Sequence, residues 1–305
     1  MLIIYILEKV TEKSIHQNSP EKTDEFRLNQ ITQPIYVSHV KTGSTLCSND
    51  HILLLQDGST TIEFRGYPKF QPVRIPWHNG LIRDMVWCSD LNVFILLTKD
   101  ALFSVSPTSL FTVETAKDKP LVDLKINIYQ KVKPFNNNVS FWRCTSAGTT
   151  LYISYSGFGT AIDEYSLSAS SCNLVNRWVP PKTCAIYEGI WCIRYQQETD
   201  QLGIVIMDAR NNQWRLEIRN RKDLAFLWKV VLPLSNGDCE ISPLPDREWL
   251  AVNSCGIRLI QIANQKLKSG VEYQRELKNA ITIGNLYFVV RTKSTIEIHQ
   301  IKRSK

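Results

Sequence analysis

The sequence predicts an all-β fold, a single β-propeller of six blades closed by an N-terminal strand. Three observations carry this expectation. A hairpin signature recurs along the chain, a further short strand precedes most copies, and no long stretch shows 3.6-residue apolar periodicity.

In each hairpin an apolar strand meets a polar turn and then an alternating strand. Leu53 to Gln56 turn at Asp57-Gly58 into Thr61 to Phe64, Phe94 to Leu97 turn at Lys99-Asp100 into Leu102-Phe103, and Leu151 to Tyr155 turn at Gly157-Phe158. Gly203 to Met207 turn at Arg210-Asn211, Trp249 to Val252 at Cys255-Gly256, and Tyr287 to Val290 at Lys293-Ser294. Turns at 57, 99, 157, 210, 255 and 293 lie 38 to 58 residues apart. A four-stranded blade occupies roughly 40 to 50 residues.

Ahead of the hairpins stand Met85 to Cys88, Phe141 to Cys144, Ile190 to Ile193 and Cys239 to Ile241, read as innermost strands. Behind several hairpins a fourth strand ends at Pro76, Pro180 or Pro233. Proline suits a strand end because it cannot donate to the ladder. The last repeat has three strands, and Gln33 to Val40 offers the fourth, pairing beside Ile296 to Ile301. Closing the ring in this way removes exposed sheet edges. The second blade is the least defined, because 107 to 138 is a long polar stretch.

A chain of 305 residues buries roughly 75% of its unfolded surface, so it needs neither disulfide nor metal to hold a core. With 43% apolar and 21% charged residues it shows no bias toward disorder or coiled coil. The apolar run Leu2 to Leu7 stops at Glu8 and Lys9, short of the roughly 18 residues that span a bilayer. It also lacks a basic leader, which points to the cytoplasm or nucleus. Residues 1–30 read as a flexible arm, 33–301 as the propeller and 302–305 as a basic tail. Eight cysteines include no Cys-x-x-Cys pair and five histidines never fall at i, i+4, so no metal, cofactor or disulfide framework is expected.

The hairpins over 33–301 resemble those of WD40-type propellers, although no Trp-Asp or Gly-His dipeptide occurs. Ile75 to Gly80, Ile82 to Trp87 and Val290 to Ser294 are more closely similar to an uncharacterised family of WD40-like propeller proteins found in small invertebrates. The resemblance implies a fold, and it brings no catalytic residues.

No Gly-x-Ser-x-Gly, Walker loop or His-Glu-x-x-His is present. Arg74-Ile75-Pro76 resembles a sialidase triplet, but the Ser-x-Asp-x-Gly-x-x-Trp turns of those enzymes are missing. A propeller hydrolase is therefore disfavoured. Trp87-Cys88, Trp142 to Cys144 and Trp191-Cys192 read as packing where sheets converge rather than as a ring of reactive thiols.

The favoured function is a non-catalytic scaffold that binds a protein or peptide on the face shared by the connections between blades and the hairpin turns. Trp77, His78, Asn79, Tyr187 and Glu188 are placed on that face. The alternative is a weak binder of nucleic acid or another polyanion. Residues 1–255 hold 26 basic against 26 acidic residues, whereas 256–305 hold 10 against 3. Arg258, Lys266, Lys268, Arg275, Lys278, Lys302, Arg303 and Lys305 would carry that salt-dependent attraction.

Overall fold

Strands of three to nine residues, separated by turns rich in Gly, Asn and Asp, pair into six four-stranded antiparallel sheets. The computed structural model describes residues 26–31, 33–41, 43–107, 126–129, 132–135, 138–234, 237–253 and 257–301. A single 3-10 turn, Leu28–Gln30, precedes the strands, and among the described residues no helix is long and apolar enough to cross a membrane.

The chain enters through β1 (Tyr36–His39). Blade 1 holds β2 (Leu46–Ser48), β3 (Ile52–Gln56), β4 (Thr61–Gly66) and β5 (Pro72–Pro76). Blade 2 holds β6 (Ile82–Cys88), β7 (Val93–Thr98), β8 (Leu102–Val105) and β9 (Ile126–Ile128). Blade 3 runs β10 (Phe141–Ala147), β11 (Thr150–Tyr155), β12 (Ile162–Leu167), β13 (Cys172–Trp178). Blade 4 runs β14 (Glu188–Gln196), β15 (Gln201–Asp208), β16 (Gln213–Asn220), β17 (Phe226–Leu232). Blade 5 runs β18 (Cys239–Leu244), β19 (Glu248–Asn253), β20 (Arg258–Ala263), β21 (Lys266–Glu272). Blade 6 takes β22 (Leu277–Ile283), β23 (Tyr287–Thr292) and β24 (Thr295–Gln300), and β1 completes it, with Tyr36 opposite Ile298 and His39 opposite Thr295.

The second strands are apolar without alternation because neighbouring blades cover both of their faces, as the burial of Leu53, Leu54 and Leu55 shows. Phe64 of blade 1 meets Phe94 of blade 2 edge-on at 5.9 Å. Gly203 of β15 is flat against Trp249 of the next blade, where a β-carbon would stand 2.6 Å from the indole. That close approach requires glycine.

The flexible arm expected over residues 1–30 is corrected at its end. Phe26 and Leu28 are buried, and Phe26 packs on Phe288 with ring centroids 6.0 Å apart. The Leu28 N–H donates to Gln261 Oε1 (3.2 Å), and Gln261 Nε2 donates to the Phe26 carbonyl (2.9 Å). A glutamine buried in β20 takes these partners from the segment, which is why the segment docks. Residues 1–25 and the tail 302–305 lie outside the described residues.

The seven described cysteines are buried and unbonded, while Cys255 and its turn lie outside the described residues. Cys88, Cys144, Cys192 and Cys239 stand on inner strands as expected, but in different registers. Cys144 faces Ile153 and Cys192 faces Val205 in mid-strand, whereas Cys88 faces Val93 beside a turn and Cys239 opens β18.

Candidate interaction site at the channel mouth

Strands alternate in direction within a blade, so the connections between blades emerge on the same face as the turns between second and third strands. A hydrogen bond from the Trp77 N–H to the Thr60 carbonyl (2.8 Å) joins one such connection to one such turn.

Two of the five residues expected to form a binding surface here do something else. Trp77 is 0% exposed. Its indole donates to the Gly80 carbonyl (2.5 Å) and packs edge-on against Phe103 at 5.1 Å, so it props its own loop from beneath. Glu188 is 8% exposed. It accepts two bonds from Arg215 (2.8 and 3.0 Å) and one from the Ala185 N–H (2.8 Å). Burial pushes that carboxyl up, and these donors outweigh it to leave the pKa lowered. His78 and Asn79 are exposed on the face, and Tyr187 is half-buried beneath the Arg210 guanidinium, 3.4 Å from its ring centroid. Trp77 and Tyr187 sit on connections two blades apart, so the expected residues do not form one patch.

A different set converges there. In β6 the pairing runs Ile82 to Thr98 and then Asp84 to Leu97, which leaves Arg83 as the extra residue of a β-bulge. Equivalent shifts leave Trp142 and Arg143 against one partner in β10, Trp191 extra in β14 and Lys278 extra in β22. A bulge re-aims a side chain, and the ladder resumes beyond it shifted by one residue. All four lie at the start of inner strands, at the mouth of the central channel.

Three of them touch in sequence around the ring. The Arg83 guanidinium lies 5.4 Å from the Trp142 ring centroid, and Arg143 lies 4.4 Å from the same ring. Trp142 meets Trp191 edge-on at 5.8 Å, and its indole donates to the Trp191 carbonyl at 3.2 Å. Trp191 packs in turn on Trp214 at 5.2 Å. Beside them Phe158 (52% exposed) bridges to Gly189, and Ile186 is 78% exposed. Leu81, on the connection preceding Arg83, is 53% exposed.

Below the mouth, charged side chains from four blades close the axis. Arg194 grips Asp84 with both terminal nitrogens (2.7 and 2.9 Å) and reaches Glu240 at 3.4 Å, while Arg143 takes Glu240 at 2.6 Å. Burial would lower both guanidinium pKa values, but the two carboxylates override it and hold them above the ordinary value. The opposite face opens into a cavity of about 850 Å³ whose rim includes Asp50, Asp90 and Glu198. Among the described residues no group of three or more His, Cys, Asp or Glu could hold a metal ion.

Four of the eight cations expected to attract a polyanion have carboxylate partners. Arg258 pairs with Glu272 at 3.5 Å, Lys268 with Glu248 at 2.7 Å, Arg275 with Glu297 at 2.6 Å and Lys278 with Glu276 at 2.6 Å. Lys266 is exposed, and Lys302, Arg303 and Lys305 lie outside the described residues. Glu272, Glu276 and Glu297 are the three acidic residues already counted within 256–305, so the basic surplus of that segment remains although these four cations have partners.

No model of a known protein family matches the chain, and no curated protein sequence matches it. Solved structures resemble it along nearly its whole length. A chain of a mitotic checkpoint complex aligns with TM-score 0.56 at 7% identity, over 99% of this chain and 98% of that one. A luciferin-regenerating enzyme aligns with TM-score 0.59 at 9% identity, over 88% and 98%. The WD40 domain of coronin from Toxoplasma gondii aligns with TM-score 0.55 at 9% identity, over 92% and 89%. Likeness at such low identity shows the fold, and with the six sheets it makes this chain a WD40-like β-propeller. One of the three is an enzyme by name, so the fold does not by itself assign a function.

Proposed function

We propose that this propeller is a non-catalytic protein-interaction scaffold whose partner docks at the channel mouth on the connection face. The observation that carries the proposal is the set of inner-strand bulges at Arg83, Trp142 and Trp191, part-exposed side chains on the same face as exposed Phe158 and Ile186. Aromatic and arginine side chains grouped on a rigid frame are what interface hot spots use. A reducing compartment, cytoplasm or nucleus, suits the seven unbonded thiols. Kinship with propellers of small invertebrates rests on the three sequence segments quoted above.

A photo-crosslinking residue placed at 158 or 186, and as a control at 231 on the outer strand of blade 4, tests the site. Discrete protein adducts from the first two positions and none from the third, unchanged by nuclease, are expected. Equal labelling at all three, or none at 158 and 186, would refute it.

A further inference from the structure

We infer that the channel mouth selects an acidic peptide, seating a carboxylate on Arg83 and an apolar neighbour against Trp191 and Phe158. This rests on the scaffold reading above and names its partner's chemistry. The axial cluster holds three guanidinium groups, Arg83, Arg143 and Arg194, and two carboxylates, Asp84 and Glu240. Arg194 occupies both oxygens of Asp84, and Glu240 is divided between Arg143 and Arg194. The Arg83 carbonyl accepts from Arg143 Nη1 at 3.0 Å, but the Arg83 guanidinium makes no hydrogen bond or ion pair with any described residue, so one positive charge at the mouth is uncompensated. A second observation points the same way. Arg143 is 5% exposed and its Nε has no hydrogen-bond partner, beside the ring that Arg83 also touches.

A guanidinium lying on an aromatic face keeps the N–H donors around its edge free. A carboxylate can then take two parallel bonds from a group already held in place. The surroundings decide between a peptide and a nucleic acid. A phosphate backbone calls for a run of unpaired cations, whereas three other cations of this face are engaged: Lys278 with Glu276, Arg210 with Asp208, and Arg215 with Glu188. Exposed apolar residues of this face are Leu81, two residues before Arg83, and Phe158 and Ile186, with Phe158 beside Trp191 at Gly189. One carboxylate flanked by aliphatic or aromatic side chains matches that arrangement.

The test is selection of phage-displayed random dodecapeptides on the full chain, followed by fluorescence anisotropy with the selected peptide and its Asn/Gln analogue. Enriched peptides should carry Asp or Glu within two positions of an apolar residue. Affinity should fall about tenfold or more on amidation or in Arg83→Gln, and no further when the two changes are combined. Arg83→Lys, which keeps the charge and loses the fork, should fall in between, with an unchanged melting temperature. Enriched peptides without acid, binding indifferent to Arg83→Gln, or no binder at all would overturn the inference while adducts from 158 and 186 still upheld the scaffold. Binding of an oligouridylate decamer that depends on Arg83, in place of peptide, would overturn it in favour of nucleic acid. Loss of those adducts would refute the scaffold reading itself.

Discussion

Arg291 Nη2, on β23 of the last blade, donates to the Gln56 carbonyl on β3 of the first blade at 2.8 Å, across 235 residues of chain. The same guanidinium reaches the carbonyls of Lys41 (3.3 Å) and Thr45 (3.2 Å), so it fastens the joint where the ring closes. Burial lowers its pKa to about 10, which still leaves it charged at neutral pH. Arg291→Met would strand two buried carbonyls, those of Gln56 and Thr45, each costing about 1–3 kcal/mol, against the relief of a desolvated cation. We expect a net loss of about 2–4 kcal/mol in urea unfolding. Gly43 has φ +151 and a β-carbon there would lie 2.7 Å from Arg291 Nη2. Gly43→Ala should therefore destabilise the native protein, and by less in the Arg291→Met background. Strict additivity would show that the contact does not matter.

The docked segment gives a second expectation. Leu28→Ala should cost about 2–5 kcal/mol, as for a core leucine, and Phe26→Ala a similar amount, read as a fall in melting temperature. If both variants melt like the parent, residues 26–31 are not integral to the fold.

The axial cluster predicts an asymmetry between single and double variants. Asp84→Ala leaves Arg194 buried with half its partners gone and should cost about 3–5 kcal/mol. Adding Arg194→Met should restore some of that loss, because the orphaned charge goes too. A double variant worse than the sum of both singles would contradict the ion-network account.

Acid stability follows from Glu188 and Asp200, whose pKa values are lowered. The Arg221 hydrogen bond is the main cause at Asp200; at Glu188 the Arg215 and Ala185 donors overcome burial. A carboxylate with a folded pKa below its unfolded one stabilises above the unfolded value, about 4, and loses that contribution as pH falls through the folded value. Acid unfolding should therefore begin below about pH 4. Arg215→Met should move its midpoint to higher pH by circular dichroism, and a shift to lower pH would reverse the argument.

Thiol labelling reads the core directly. Burial pushes the thiols of Cys47, Cys144, Cys192 and Cys239 up, and that of Cys172 up to about 12. A buried thiol kept from its thiolate form is inert. Peptide mapping after brief native alkylation should find these five unmodified and, after denaturation, fully modified. Rapid native labelling of the inner-strand cysteines would mean the channel is open to reagent.

The hairpins, the inner strands and the closing strand were legible because each rests on local alternation and turn chemistry. The docked segment was not, since Phe26 and Leu28 stand among polar residues and gain their meaning from Gln261, more than 230 residues away. Trp77 misled for a related reason: whether a loop indole faces solvent depends on Phe103 and Gly80, which sequence does not place. The bulges did leave a trace. Ile82-Arg83-Asp84, Phe141-Trp142-Arg143, Ile190-Trp191-Cys192 and Leu277-Lys278-Asn279 each insert a long side chain after the first apolar residue of an inner strand. Aligned by blade, that repeated break in alternation marks the mouth.

The pairing of β1 with β24 also sets how the ring answers to tension. Tyr36 enters β1 opposite Ile298, two residues from where β24 ends at Gln300, and the Ile35 N–H bonds the Ile298 carbonyl at 2.8 Å. A pull applied through residues 33 and 301 therefore acts at one end of the pair. The rungs would break in succession, as a zipper opens, rather than resist together in shear. The protein is stiff to loads that spread the blades across the Arg194 network and compliant to loads borne along its own chain.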